Sequence, residues 1–283
     1  MFAKFGPGGN SAQFSKKYKS TADAPLYLKE MGLSAYEYEC GQGVKISQAS
    51  AEIIGKNAKD NGISLSLHSP YFISLSSVEK EKRDNSIQYI LQSAQAASWM
   101  GADRIVIHSG SCAKISREEA LELAKDTLKR ARKACIENGF ENLILCPETM
   151  GKVNQLGDLN EVMELCLVDD SFLPCIDFGH LNARTFGSIK DKTDYETIIN
   201  TIENRLGSDR AKLFHSHFSK IEFTPKGGEK AHLTFEDEIY GPQFEPLMEI
   251  IAKKNLTPTF ICESAGTQDV DALSMMTYYK SLF

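Results

Sequence analysis

The feature that most restricts the fold of this chain is a rhythm that recurs eight times along it. A short apolar run is followed by a polar loop and then by a segment with helical spacing, clearest in residues 87–94 and 121–135. This order is typical of βα units, which form parallel sheets with helices packed on them. The predicted strands are 2–5, 35–39, 64–67, 104–107, 143–146, 173–176, 211–214 and 259–262.

Eight strands that alternate with helices in a chain of 283 residues most economically close into a (β/α)₈ barrel. We therefore expect an α/β protein with one TIM-barrel domain over residues 1–283. A doubly wound open sheet is the alternative. It is disfavoured because no G-x-G-x-x-G or G-x-x-x-x-G-K-[ST] motif follows the first strand, and the Gly-rich residues 6–9 are interpreted as a turn.

Composition limits the classes of protein that fit. With 42% hydrophobic residues, no apolar run of membrane-spanning length and no signal-peptide pattern, we expect a soluble, cytoplasmic protein that does not contact membranes. We also expect a monomer, although the sequence itself does not determine the oligomeric state. The seven cysteines include no C-x-x-C pair, which argues against a disulfide framework or a Cys-rich zinc motif. The net charge of −6 offers no overall attraction for nucleic acid, although a local basic groove stays compatible with it.

The histidines concentrate where the predicted strands end, and none is expected within a helix. His68, His108 and His215 end their strands, His180 follows shortly after residue 176, His217 lies two residues beyond His215, and His232 falls in the long loop that follows. Because the carboxyl ends of all barrel strands open on one face, these imidazoles should converge there.

Carboxylates join this pattern. Glu148, Asp177 and Glu263 each follow an apolar strand, where an ionised carboxylate would be costly without a positive partner. Taken singly, a strand-end His is usually a hydrogen-bonded structural residue, and a strand-end acid often caps the next helix. Together with the imidazoles, however, they form a ligand set suited to zinc, manganese or iron(II). The number of ligands predicts two or three ions, with the carboxylates as bridges and phosphoester hydrolysis as the favoured chemistry.

These motifs resemble the endonuclease IV family of abasic-site endonucleases, within the xylose-isomerase-like barrels. The resemblance rests on an ordered set of segments: LHSPYFISL, VIHSGS, CPETMG, CIDFGHLNA, FHSHFSK and ICES. It implies a TIM barrel that carries zinc and hydrolyses the phosphodiester 5′ to an abasic site in DNA. The implied catalytic residues are Glu148 and Glu263, which would orient or deprotonate the attacking water.

The resemblance also implies the ligand sets. One zinc would be held by His68, His108 and Glu148; a second by Glu148, Asp177, His215 and Glu263; and a third by His180 and His232. The family supplies an Asp-x-His pair to the third ion, whereas here Lys230 and Ala231 precede His232, so Glu229 or another acid would substitute.

Further residues are implied to contact DNA. Tyr71 and Phe72 match the position from which the family inserts an aromatic side chain into the gap of a missing base, although each could equally pack on its own loop. Lys220, Lys226 and Lys230, together with Arg184, could contact phosphates from the rim or be ordinary solubilising residues. The loop after residue 39 is short and poor in Lys and Arg, which weakens the case for duplex DNA.

Two other functions remain as alternatives. A sugar or sugar-phosphate isomerase or epimerase of the same superfamily would use one divalent ion to polarise a carbonyl while carboxylates or His move a proton. A barrel without metal that binds a ligand or partner is the non-enzymatic alternative, and it is disfavoured by the number of candidate ligands.

Overall fold

A computed structural model describes residues 2–283 and contains a parallel eight-stranded barrel. Its strands are β1 (Lys4–Pro7), β2 (Ala35–Glu39), β3 (Ser64–His68), β4 (Arg104–His108), β5 (Ile144–Glu148), β6 (Cys175–Asp177), β7 (His215–Phe218) and β10 (Thr259–Cys262). A two-stranded antiparallel hairpin, β8 (Lys220–Thr224) and β9 (Gly228–Leu233), follows β7. The chain is thus a single (β/α)₈ TIM barrel, and the predicted fold class is confirmed.

Helices surround the barrel and cover its strands. They are α1 (Ala12–Lys17), α2 (Ala24–Glu30), α3 (Gln48–Asn61), α4 (Lys80–Met100), α5 (Arg117–Glu137), α6 (Leu159–Cys166), α7 (Phe178–Arg184), α8 (Lys192–Leu206), α9 (Ser208–Leu213), α10 (Glu245–Lys253) and α11 (Gln268–Ser281). Among residues 2–283, no helix has both the length and the apolar content needed to cross a membrane.

The first two strands close the barrel. The hydrogen-bonded order runs β1-β10-β7-β6-β5-β4-β3-β2, and a parallel bridge between Gly8 and Glu37 brings β1 to β2. A β-carbon on Gly6 would lie only 1.7 Å from the carbonyl oxygen of Ala35. Glycine is therefore required at residue 6, because any side chain there would force β1 and β2 apart.

The predicted strand at 211–214 is wrong. Residues 208–213 form α9, and β7 begins at His215. Ala211 and Phe214 are both buried and lie three residues apart, which is the spacing of one helix face. Over only four residues, this spacing cannot be told from an apolar strand. The true strand has the sequence HSHF and is entirely buried despite its polar residues, so its hydrophobicity does not reveal it.

Two expectations about the histidines are also wrong. His180 lies within α7, whose N-cap is Asp177, and His232 lies in β9 rather than in a loop. The β8–β9 hairpin docks on the loop after β5, because Glu229 N donates to Gly151 O at 3.1 Å and Lys152 bridges to Gly228. The hairpin therefore brings residues 229–232 over the carboxyl end of the barrel.

Candidate metal centre

Glu148 is the centre of a cluster of imidazoles at the carboxyl ends of the strands. It is the last residue of β5 and is 1% exposed. Its Oε2 lies 3.3 Å from Nε2 of both His68 and His108, and its Oε1 lies 3.1 Å from His217 Nδ1 and 3.3 Å from His180 Nδ1. One carboxylate thus faces four imidazoles from four different elements.

The strand register explains this convergence. His68, His108 and Glu148 are the final residues of three neighbouring parallel strands, and His108 pairs directly with Glu148. His68 is fixed further because its Nδ1 lies 2.8 Å from the carbonyl oxygen of Ser69, which leaves Nε2 facing Glu148. The three residues expected to share one ion are therefore brought together by the sheet itself.

A second group combines Glu148 with Asp177, His217 and Glu263. Each residue offers one ligand atom, and these atoms all lie within 4.8 Å of one another. Asp177 Oδ1 accepts a hydrogen bond from the backbone N–H of His180 at 2.7 Å, so this acid does cap a helix, as its alternative interpretation held. Its other oxygen, Oδ2, is buried and makes no hydrogen bond. His180 Nδ1 lies 3.2 Å from it but hydrogen-bonds to the carbonyl oxygen of Thr149 at 2.9 Å instead.

That buried oxygen is a test of whether a metal fits here. An unpartnered carboxylate oxygen among other buried carboxylates is unfavourable unless a cation completes the site. Three carboxylates and one imidazole whose ligand atoms lie within 4.8 Å of one another suit Zn²⁺, Mn²⁺ or Fe²⁺. The residues present therefore fit a divalent ion.

His215, which was expected in this second group, lies one layer deeper in the barrel. It pairs with Cys175, and its Nε2 lies 2.9 Å from Glu37 Oε2. His217 pairs with Asp177 instead and occupies the position beside Glu148 and Glu263. The strand was predicted to end at residue 214, so the next residue, His215, was taken as its ligand. Because β7 actually runs from His215 to Phe218, the ligand position falls two residues later, at His217.

Sequence reasoning missed two acids on β2. Glu37 is fully buried, and Glu39 lines the mouth of the site together with Glu263. The available signal was the alternation AYEYE, which places acids at positions 37 and 39 of a strand that a barrel must bury on at least one face.

The third group consists of His180, Glu229 and His232, with one ligand atom of each within 4.8 Å of the others. His180 Nε2 lies 3.5 Å from Glu229 Oε2, and the rings of His180 and His232 are 5.5 Å apart. Ser219 Oγ lies 2.9 Å from His232 Nδ1 and fixes that ring. Glu229, the expected substitute for the family's Asp, therefore lies close to both histidines of this group. Its role as a metal ligand stays a prediction.

Charge coupling is strong in the protein without metal. Burial alone would raise the pKa of Glu148, but His217 and the hydrogen bonds from His108 and His180 outweigh burial and hold that pKa well below its ordinary value. Burial would lower the pKa of His68, but the carboxylates of Glu39 and Glu148 outweigh it and raise that pKa to about 10. The pKa values of His180 and His217 are raised well above normal against the same effect of burial.

A cavity of about 350 Å³ opens above these groups. Tyr71 lines it, with 59% of its surface exposed, whereas Phe72 contacts Tyr89 with ring centroids 4.8 Å apart. Tyr71 is therefore free to meet a substrate, while Phe72 packs mainly on the helix that follows its own loop. Lys152 also lines the cavity.

Two of the four basic rim residues hold the backbone in place. Lys220 is buried and donates hydrogen bonds to the carbonyl oxygens of Phe235 and Asp237, at 2.8 and 2.6 Å. Arg184 donates to Met150 O at 2.6 Å. Lys230 pairs with Glu222 at 2.6 Å, and Lys226 is exposed. Lys226 and Lys230 are thus the two of the four that remain accessible to a phosphate.

Two relatives resemble the chain over most of its length. The chain is 33% identical over 255 residues to an uncharacterized protein of Methanocaldococcus jannaschii, with 90% of each chain covered. It is 30% identical over 231 residues to a probable endonuclease 4 of Mycoplasma genitalium, with 80% of this chain and 73% of that protein covered.

Solved structures share the fold at low sequence identity. Endonuclease IV from Thermus thermophilus has a TM-score of 0.69 at 16% identity and covers 98% of this chain and 99% of its own. A D-tagatose 3-epimerase-like protein has a TM-score of 0.73 at 16% identity and covers 99% of this chain and 97% of its own. A family model described as a xylose isomerase-like TIM barrel matches residues 26–278. The chain belongs to this xylose isomerase-like TIM barrel family and has a probable endonuclease 4 among its relatives.

Proposed function

We propose that this protein is a metal-dependent phosphodiesterase that hydrolyses DNA on the 5′ side of abasic sites. The observation that carries the proposal is the number of candidate ligands around one cavity. His68 and His108 both face Glu148, and the group around Asp177 and the His180–Glu229–His232 group lie beside them. Relatives named probable endonuclease 4 support the same chemistry. Zinc is the expected metal, with manganese or iron(II) as alternatives, at two or three ions per chain.

The residues divide into ligands and proton acceptors. His68, His108 and Glu148 would hold one ion; Glu148, Asp177, His217 and Glu263 a second; and His180, Glu229 and His232 a third. When bound, the metals would lower the pKa of a water molecule and stabilise the charge on the leaving oxygen. We assign His217 to the second ion in place of His215, because His217 Nδ1 faces the carboxylates.

Glu263 is the better of the two expected catalytic acids for accepting a proton from the attacking water. Its side chain is 18% exposed, so it can reach both the cavity and the cluster. Glu148 is 1% exposed and its two oxygens face four imidazoles, so it would serve mainly as a ligand and to position the histidines. Tyr71, at the mouth, would stack in the gap left by the missing base.

The experiment is incision of a duplex oligonucleotide that contains one tetrahydrofuran residue by protein loaded with zinc, manganese or iron(II). We expect a single cut 5′ to the lesion that leaves a 3′-hydroxyl, no cut in the undamaged duplex, and loss of cutting in Glu263→Gln. Absence of incision by fully metal-loaded protein in every metal would contradict the proposal.

A sugar isomerase or epimerase is the second candidate. It is favoured by the Glu148–Asp177–His217–Glu263 group, which alone supplies four ligands for a single ion, and by the structural contacts that occupy Lys220 and Arg184. Elemental analysis separates the two functions: one tightly held metal with turnover of a ketose supports the isomerase, whereas three metals with incision support the nuclease.

A further inference from the structure

Beneath the proposed metal centre, the carboxylate of Glu37 lies between the imidazoles of His215 and His217. Glu37 Oε1 lies 2.7 Å from His217 Nε2, and Glu37 Oε2 lies 2.9 Å from His215 Nε2. All three side chains are 0% exposed. Glu37 comes from β2 and the histidines from β7, so the contact spans the barrel interior.

We infer that Glu37 is a positioning residue, which holds the Nε2–H of His217 so that Nδ1 is the nitrogen presented to the metal. An ionised carboxylate only accepts hydrogen bonds, so each imidazole must donate its Nε2–H to it. His217 Nδ1 then faces Glu148 Oε1 at 3.1 Å and Glu263 Oε1 at 3.4 Å. A carboxylate behind a ligand histidine fixes both the ring and its tautomer. This inference rests on the proposed metal centre.

His215 determines which oxygen of Glu37 remains available to His217. Its Nδ1 is buried without a hydrogen-bond partner, so a proton there would be a buried donor with no acceptor. The proton of His215 therefore stays on Nε2 and occupies one oxygen of Glu37. The other oxygen is left for His217, and neither imidazole can turn without losing a buried hydrogen bond.

This geometry predicts a specific consequence of Glu37→Gln. The amide has one accepting oxygen and one donating NH₂ group, so it can accept from only one of the two imidazoles. Because His215 cannot move its proton to Nδ1, it should keep the amide oxygen. The NH₂ group would then face His217 Nε2 and force the proton of the neutral ring onto Nδ1, the nitrogen that should bind metal.

The test measures zinc affinity by competition with a chelating dye, and the bound state of each ring by NMR of zinc-loaded, ¹⁵N-histidine-labelled protein. In the natural sequence we expect His217 to bind through Nδ1 and to retain Nε2–H. We expect Glu37→Gln to weaken zinc binding about 10- to 100-fold. Glu37→Asp keeps two accepting oxygens and should recover part of the affinity.

Two further variants separate positioning from a general effect on packing. Ser216→Ala, between the two histidines on β7, removes a hydrogen bond to Ile176 O and should leave zinc affinity unchanged. Adding His215→Leu to the Gln variant frees the amide oxygen to turn toward His217 and should restore affinity.

Binding through Nε2 in the natural sequence, or a zinc affinity of Glu37→Gln within twofold of it, would overturn the inference even if DNA is cut. If the natural sequence shows the expected zinc coordination but cuts no abasic DNA, the proposed nuclease fails and the positioning role stands.

Discussion

Two parts of the candidate metal centre are built in different ways. Glu148, Asp177 and His217 lie at strand ends, where the register of the parallel sheet fixes them. Glu229 and His232 lie on the β8–β9 hairpin, which reaches the site by docking on the loop after β5. The first part is therefore inherent in the barrel, whereas the second depends on a separate element that can be altered without disturbing the first.

The largest expected effect comes from removing the residue at the centre of the strand-end part. Glu148→Gln should weaken zinc binding by more than about 100-fold and abolish incision, because even a residue behind a ligand costs 10- to 100-fold. Elemental analysis and the incision assay measure both effects. Glu161→Gln is the matched control, since Glu161 is a buried carboxylate that binds Arg117 away from the cluster. Unchanged metal content in Glu148→Gln would show that the barrel needs no metal there.

Substitutions in the β8–β9 hairpin should affect fewer metal ions than substitution of Glu148. We expect His232→Ala to remove one metal ion per chain, to leave the other two bound, and to slow incision about 10- to 100-fold by weakening one ligand set. Lys230→Ala changes the same strand at an exposed position and should leave the metal content unchanged. Loss of every metal from His232→Ala would break the distinction between the two parts.

Tyr71→Ala should act on the substrate and spare the metals. Stacking of a base or gap on an aromatic ring contributes about 1–3 kcal/mol, so the KM for abasic DNA should rise about 10-fold with metal content unchanged. Phe72→Ala serves as the comparison, because Phe72 packs on Tyr89 and should lower thermal stability more than it raises KM. Equal KM values for Tyr71→Ala and the natural sequence would remove Tyr71 from the substrate site.

The last prediction concerns the pH dependence of stability in the protein without metal. In the metal-free protein the pKa of His68 is about 10, above its unfolded value of 6.5. Its contribution to stability is therefore full below pH 6.5 and is lost as pH rises toward 10. His180 and His217, also with raised pKa values, act in the same direction. Thermal unfolding in chelator should show the Tm falling between pH 6.5 and 10, and a Tm that rises over this range would contradict the charge coupling.

Most residues of the strand-end part could be predicted from the sequence, because the end of an apolar run marks the end of a buried strand. Residues 64–67 and 104–107 were predicted as strands, and the residue after each is a histidine of the cluster. The same rule failed at β7, since a buried strand of His and Ser carries no hydrophobic signal. It consequently pointed to His215, although His217 is the residue that faces Glu148.

The rest of the site depends on contacts between distant residues. Glu37 looked like an ordinary strand acid, and only the closed barrel shows that it meets two imidazoles from residues 215–217. Glu229 could be named as a substitute ligand from its place near His232. Its approach to His180, however, depends on how the hairpin docks, which local pattern does not encode.

The close approach at Gly6 bears on when the candidate metal centre would be completed during folding. Gly6 lets β1 meet β2, and Glu37, the partner of Gly8 in the bridge, lies where the two strands meet. Parallel pairing of strands far apart in the chain forms slowly because loop closure must precede it. An unclosed intermediate would hold His217 without its support from Glu37. If Glu37 positions His217 as proposed, full metal affinity should therefore appear only once the barrel has closed.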